Sequence, residues 1–450
     1  MTESASLALL TGKISLNMLG KYIHFSYIVN FYTDKMICIF NYLYNFEIII
    51  AVNIVHLAQS DTQRGIIRMA DTFKQLWLMG KGGPWEMRER PIPHAGPGQL
   101  VVKMTACSIC NQTDLNTIRA LHPPHDHQIQ GMVPHHFREW DKRVPDVLSD
   151  VYPPIKYPNE PYPTTMGHEG TGIVVEVGKV EGDIKPIGFK APFMSLMGMM
   201  GGSGEFKVGD RVSMVGTMGG FGEYIVTPMN EAKLVDPAVD KYEASIFEPC
   251  ILTNIVCWNN VKQNGTCLIL GQGALGLLCT QLARIYGAKT IITSDPQPFK
   301  REMSKKFGAD IVLDPNEVNV VAAVSDITGG YGVDTILECA GEPETIRMLP
   351  YLGKLGCMVG QIGACCKPVT VDWSYIHFRG YTVSGTMAAM GKCGGMEAAK
   401  GMAMDMMASG KLDLTSMITH RIPLTVESTN DIFKKIEKGD EVIKAIYVID

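Results

Sequence analysis

At 450 residues, with 46% hydrophobic and 19% charged residues, the chain has an ordinary globular composition and length enough for two domains with real cores. A net charge of -5 gives no electrostatic reason to expect nucleic acid or an anionic membrane surface as a partner. Twelve cysteines without framework spacing, several inside apolar runs such as those around Cys267 and Cys279, suit a reducing, cytoplasmic setting with buried thiols, not a disulfide scaffold.

Residues 1–68 do not match the rest. Ile, Asn, Tyr, Phe and Lys dominate there, as translated AT-rich DNA would give, and Met69 opens a fresh start. The preferred reading is an N-terminal extension that is not part of the working fold. Met36–Ala58 is long and apolar enough for a membrane helix, but Asn41, Asn45, Glu47 and Asn53 interrupt it. A membrane is therefore an unexpected partner unless residues 1–68 are retained as an anchor.

From Met69 the chain alternates short strands with Pro/Gly turns. Gln99–Ala106 reads as a strand that delivers Cys107-Ser108-Ile109-Cys110-Asn111-Gln112-Thr113-Asp114 at its end. No second Cys-x-x-Cys exists to complete a four-cysteine site, so the pair is either part of another metal shell or two half-buried thiols. Residues 120–162 form a Pro- and His-rich insertion, with histidines at 122, 125, 127, 135 and 136, read as a lid or pocket wall. Met166-Gly167-His168-Glu169-Gly170 then enters the strand-like run IVVEVG. FKVGDRV at 206–212 and GFGEYIV at 220–226 continue the short strands, a spacing typical of a β-barrel-like domain. Just before FKVGDRV, 182–205, rich in Gly and Met, is another inserted loop without an assigned role. Ala244–Cys257 reads as a helix, with a break at Glu248-Pro249.

Thr266–Asp295 is the most informative stretch. A strand (Thr266–Leu270) meets a turn Gly271-x-Gly273-x-x-Gly276, a helix running from Ala274 to about Tyr286, and a second strand (Thr290–Ser294) ending on Asp295. The first glycine permits the tight turn, the second lets a pyrophosphate approach, and the third lets helix and strand pack closely. The free N–H groups at Ala274, Leu275 and Gly276 offer partial positive charge to the phosphates. An acid about 20 residues beyond the turn accepts the ribose hydroxyls; Asp295 stands there and would repel a 2′-phosphate, so NAD is expected over NADP. Helices at 298–307 and 318–327 alternate with strands at 310–313, 333–337 and 357–359, the rhythm of a doubly wound parallel sheet. The tail returns to mixed structure at 418–424, 427–437 and 445–449.

Taken together, the strand-end Cys before Thr-Asp, GHEGTGIVVEVG, FKVGDRV, GGFGEYIV, the Glu-Pro element, the glycine turn, FGADIVLD, GVDTILECAG and KGDEVIKAIYV resemble the zinc-dependent medium-chain dehydrogenase/reductase family, the alcohol and polyol dehydrogenases, from about Met69 to Asp450. The resemblance implies an α/β fold in which a Rossmann domain (250–385) is inserted in a β-rich, barrel-like (GroES-like) catalytic domain (69–249 and 386–450). It implies one catalytic Zn2+ held by Cys110 and His168, with Glu169 near or on the metal and Glu248 in the third-ligand place of polyol-type members. It also implies Thr113 as a proton relay and Lys444 as a contact for cofactor phosphates. One cysteine, one imidazole and a carboxylate with one place open make a catalytic shell. The family's structural zinc lobe is missing, since 213–223 holds no cysteine. The family usually has one residue between Cys and Thr; here there are two, which leaves the placement of Thr113 open.

The resemblance further implies a homo-oligomeric, NAD-dependent oxidoreductase acting on a small-molecule alcohol or carbonyl. A secondary alcohol is expected, with the Glu at 248 leaning towards polyols, sugars or amino alcohols. The rival readings are a zinc-free enoyl or quinone reductase and a non-catalytic nucleotide sensor on the same scaffold.

Overall fold

The computed structural model describes residues 9–18, 21–32, 35–41, 72–119, 162–179, 205–365 and 369–449. The histidine-rich insertion at 120–161 and the Gly/Met-rich loop at 180–204 lie outside these, as does the apolar run from 42 to 58. Met1–Asp71 and Thr72–Asp450 are two compact units. In the first, β1 (Leu9–Met18), β2 (Lys21–Tyr32) and β3 (Lys35–Asn41) form an antiparallel sheet in that order. The start of the apolar run that fits a membrane helix by length is thus strand, and among the described residues no helix is long and apolar enough to cross a membrane.

The second unit opens with β4 (Thr72–Leu78), β5 (Trp85–Pro91) and β6 (Gln99–Ser108), followed after a short helix by β7 (Thr164–Thr165) and β8 (Glu169–Val177). β9 (Arg211–Met214), β10 (Tyr224–Pro228) and β11 (Ala232–Leu234) complete this stretch. β6 is the spine of the catalytic sheet: β8 and β10 both pair with it antiparallel, β9 joins β8, and β11 joins β9. Its residues are buried on both faces apart from half-buried Gln99 and exposed Lys103, and Val102, Met104 and Cys107 pack into one apolar cluster with Leu76, Phe221 and Tyr447. Each such side chain withdrawn from water contributes roughly 1.5–3 kcal/mol.

The dinucleotide sheet is built from β12 (Thr266–Leu270), β13 (Thr290–Ser294), β14 (Ile311–Leu313), β15 (Val333–Glu338), β16 (Gly353–Gln361) and β17 (Thr382–Gly385). All neighbours are parallel, in the order β14-β13-β12-β15-β16-β17. Counted from its first strand this is 3-2-1-4-5-6, the doubly wound Rossmann order. Alternation along β12 explains the two covered faces. Cys267 and Ile269 face a core with Leu277, Leu278 and Leu282, while Leu268 and Leu270 face one with Val324, Val333 and Leu349.

One expectation needs correction. The break expected at Glu248-Pro249 falls earlier, where a 3-10 turn over Glu243–Ile246 passes into one helix, Phe247–Asn260. Pro249 lies in that helix's first turn, where a missing N–H costs nothing. Helices Thr386–Cys393 and Met396–Ala408 bury Ala389, Met390, Ala403 and Met404 with Ile251 and Ile255, extending the dinucleotide core. The chain rejoins the catalytic sheet only at β18 (Ile418–Pro423) and β19 (Lys444–Val448), the latter pairing antiparallel with β6.

Candidate metal centre and dinucleotide crevice

Three adjacent strands converge on one spot. Ser108 at the end of β6 is in register with Glu169 at the start of β8, and β19 runs alongside β6 with Lys444 at its start. Beyond β6 the chain turns at Cys110 and enters the helix Thr113–Ile118, with Ile109 N–H donating to the Ala445 carbonyl at 2.9 Å. His168 precedes β8 and is set by Gly167, whose φ is +89° and whose position leaves no room for a side chain: a Cβ there would lie 2.4 Å from the Phe221 ring.

The result is one cluster in which ligand atoms of Cys110, His168 and Glu169 all lie within 4.8 Å of one another. His168 is 7% exposed and Glu169 is buried, while Cys110 keeps some access. Buried His168 Nδ1 has no hydrogen-bond partner and faces Asp114 Oδ1, equally unpartnered, at 3.8 Å. Burial pushes the imidazole down, but the Glu248 carboxylate, Cys110 and Asp114 outweigh it and hold its pKa well above the ordinary histidine value. An uncompensated cluster of thiol, imidazole and carboxylates fits a divalent cation of the zinc class, whose charge would replace the extra proton.

The two carboxylates differ. Glu169 accepts from the Ser108 hydroxyl and pairs with the Lys444 ammonium, both in close contact. Glu248 lies in the first turn of helix Phe247–Asn260, a favourable place for negative charge, and its Oε2 accepts the Gly216 N–H at 3.0 Å. Burial raises the Glu248 pKa against the opposing pull of His168. Asp114, absent from the sequence-derived site, is fully buried; its Oδ2 accepts the Cys110 N–H at 2.9 Å, and burial pushes its pKa up to about 6.

Thr113 opens the helix, its carbonyl accepting the Thr117 hydroxyl at 2.9 Å. The additional residue relative to the family spacing is taken up by side-chain tethers: Asn111 Nδ2 donates to the Ile443 carbonyl at 3.3 Å, and the Gln112 amide donates to the Ala364 carbonyl in the turn after β16. Cys107, by contrast, is a core thiol, and burial raises its pKa well above the ordinary value. Lys444 departs from expectation. It is 2% exposed, with its ammonium on Glu169 and on the Ile109 carbonyl at 3.1 Å, which leaves it no free surface for cofactor phosphates.

At the glycine turn each glycine meets a different limit. Gly271 has φ +86°, and a Cβ there would lie 2.8 Å from Ala340 N. A Cβ on Gly276 would lie 1.9 Å from the Gly271 carbonyl oxygen, whereas one on Gly273 would meet nothing within 4 Å. Gly273 therefore borders open space at the start of helix Ala274–Ile285, whose first residues, Ala274, Leu275 and Gly276, carry the exposed end of the helix dipole. Asp295 follows β13; its Oδ2 accepts the Gln272 N–H at 2.7 Å and Oδ1 the Gln297 N–H at 2.8 Å. A carboxylate has about four acceptor sites, so it retains capacity for a ribose.

Residues 274–408 match the family described as zinc-binding dehydrogenase. The chain is 30% identical over 312 residues to an L-threonine 3-dehydrogenase of Pyrococcus horikoshii, a match covering 67% of this chain and 78% of the relative. Among solved structures it resembles a Sinorhizobium meliloti protein described as a zinc-binding dehydrogenase and bound to NADP, at 24% identity and TM-score 0.61, covering 84% of this chain and 99% of the other. It also resembles a 2R,3R-butanediol dehydrogenase of Bacillus subtilis, at 20% identity and TM-score 0.62, covering 84% and 100%.

Proposed function

The chain belongs to the zinc-dependent medium-chain dehydrogenase/reductase family, and from that premise we propose that it oxidises a secondary alcohol (a polyol, sugar or amino alcohol) to the ketone, with NAD as hydride acceptor and one zinc ion per chain. It is an oxidoreductase of the alcohol dehydrogenase type. The observation that carries the finer reading is the convergence of Cys110, His168 and Glu169 at the ends of β6 and β8.

Cys110 and His168 are the proposed protein ligands, with Glu248 as the third. Glu169 is the weaker candidate because Lys444 and Ser108 already share its charge. Bound there, zinc supplies Lewis acidity towards a hydroxyl or carbonyl oxygen. Asp114 is the carboxylate that faces the imidazole Nδ1, at 3.8 Å, and its charge favours the ring N–H on that side. Thr113, at the open end of its helix, carries the alcohol proton outward as a positioned acid–base group. Gly271, Gly273 and Gly276 seat the pyrophosphate on the helix end at Ala274 and Leu275, and Asp295 accepts the ribose hydroxyls, disfavouring a 2′-phosphate. The assembly is a homo-oligomer whose contact is the exposed edge of the dinucleotide sheet.

Cys110→Ala and His168→Ala should each lose zinc and turnover while NADH binding persists. Retention of full activity by both without zinc would overturn the proposal. Glu248→Ala should lose more zinc than Glu169→Gln. L-threonine, a hexitol and a hexose, followed by NADH absorbance, divide the three substrate classes.

A further inference from the structure

β15 ends on Glu338, a carboxylate with no exposed surface. Its Oε1 accepts the N–H of Ala340 at 3.0 Å, the N–H of Gly341 at 2.9 Å and the Thr345 hydroxyl at 2.8 Å. Its Oε2 accepts the Gln361 amide, which also donates to the Gly363 carbonyl at 2.8 Å. The Glu338 main-chain carbonyl takes the N–H groups of Ile362 and Gly363, both at 2.9 Å. Four donors thus converge on an acceptor-only group with about four lone-pair sites, a match that no other side chain of this size provides.

These bonds tie the turns after β15 and β16 together, and close glycine packing seats the turn after β12 against them. A Cβ on Gly363 would lie 2.3 Å from Gly341 N, one on Gly341 would lie 2.8 Å from the Ala364 oxygen, and one on Gly271 would lie 2.8 Å from Ala340 N. The segments leaving the carboxyl ends of β12, β15 and β16 therefore touch backbone to backbone around one buried carboxylate. The Ala364 carbonyl then takes the Gln112 amide, which lies in the loop that begins at Cys110.

A dinucleotide on a 3-2-1-4-5-6 sheet lies across the carboxyl ends of the strands, one half on each side of the reversal of strand order. Asp295 marks the β13 side for the adenosine half. The other half lies over β15 and β16. We propose that Glu338 is a positioning residue for the nicotinamide half of the coenzyme, fixing the turns after β15 and β16 between the glycine turn and the Cys110 loop. The inference rests on the reading of this crevice as the coenzyme site.

Glu338→Gln keeps the shape but must turn an NH2 group onto one of the donors, so at least one bond is lost. The test compares NADH with ADP-ribose, which lacks the nicotinamide, by titration calorimetry on the full chain, with zinc content measured alongside. Glu338→Gln should bind NADH about tenfold more weakly, equivalent to about 1.4 kcal/mol, with ADP-ribose binding and zinc content unchanged. Unchanged NADH affinity, or an equal loss for both ligands, would overturn the proposal. Wild-type protein that binds neither ligand would instead overturn the coenzyme reading itself. Should Glu338→Gln fail to fold, Thr345→Val removes a single donor. It should weaken NADH alone by about threefold, and no selective loss there counts against the proposal.

Discussion

Asp114 accepts the Cys110 N–H and faces the His168 ring at 3.8 Å, so both proposed metal ligands lie against one carboxylate. Loss of a carboxylate behind a ligating imidazole typically costs about 10–100-fold in metal affinity, and Asp114→Asn should lower zinc affinity by that much in competition with a chelator. Its titration supplies a second check. Burial raises its pKa from 3.8 to about 6 in the metal-free fold. The folded state then holds the extra proton between those values, so this group's contribution to stability is present below the unfolded pKa and is lost as pH rises through about 6. Denaturation midpoints of chelator-treated protein should fall across that window, and less steeply in Asp114→Asn; identical slopes would remove Asp114 from the account. On the coenzyme side, Asp295→Ala should narrow the preference for NAD, read as the ratio of kcat/KM values for NAD and NADP. The candidate site residues legible in the sequence are those with local signatures: Cys110 at a strand end, His168 after a glycine that must be glycine, Asp295 after β13. Lys444 and Ser108 are not, because their role is set by Glu169 across strands, 275 residues away in the case of Lys444. Sequence spacing carries no record of such a pairing.

At the scale of elements, the glycine turn separates folding from binding. A methyl group at Gly276 would overlap the Gly271 carbonyl, and overpacking of that kind costs about 1–3 kcal/mol, so Gly276→Ala should lower Tm by several degrees along with NADH affinity. Gly273→Ala has open space around it. It should leave Tm within about a degree of wild type and still lose NADH binding, because the space it fills is the phosphate's. Equal Tm losses in both variants would contradict this division. β12 is readable because Thr266–Leu270 is a short, mostly apolar run between Gly265 and Gly271 that buries both faces. The helix Pro343–Leu352 is not: prolines at 343 and 350 look like breakers, yet Pro343 occupies a first-turn position, and Pro350 is buried with Leu349 and Leu352 against the sheet. Tertiary burial decides that element, and no local pattern announces it.

For the whole molecule, the least finished part of the described surface is the sheet edge at β17. A parallel sheet normally hides its faces and guards its edges. Among the described residues β17 has a neighbour only in β16, and Val383 on it is 46% exposed. Beside it in sequence, the helix Trp373–Phe378 leaves Trp373 at 67% and Phe378 at 81% exposure. Large apolar side chains grouped at an unpaired edge mark an association surface, and a two-fold axis is the commonest way to close one, since the same strand can then pair antiparallel with its copy. A stable contact of this kind buries on the order of 800 Å² per partner, more than one strand supplies, so the aromatic helix must share in it. Sedimentation of the purified protein should show a dimer or a multiple of it, and Val383→Lys, which puts a charge on the pairing strand, should shift the distribution to monomer. The same substitution lies outside both the metal cluster and the glycine turn, so zinc content should not change with it. A wild-type monomer at micromolar concentration would overturn the association itself, and a Val383→Lys variant that remains fully associated would move the contact elsewhere on the chain.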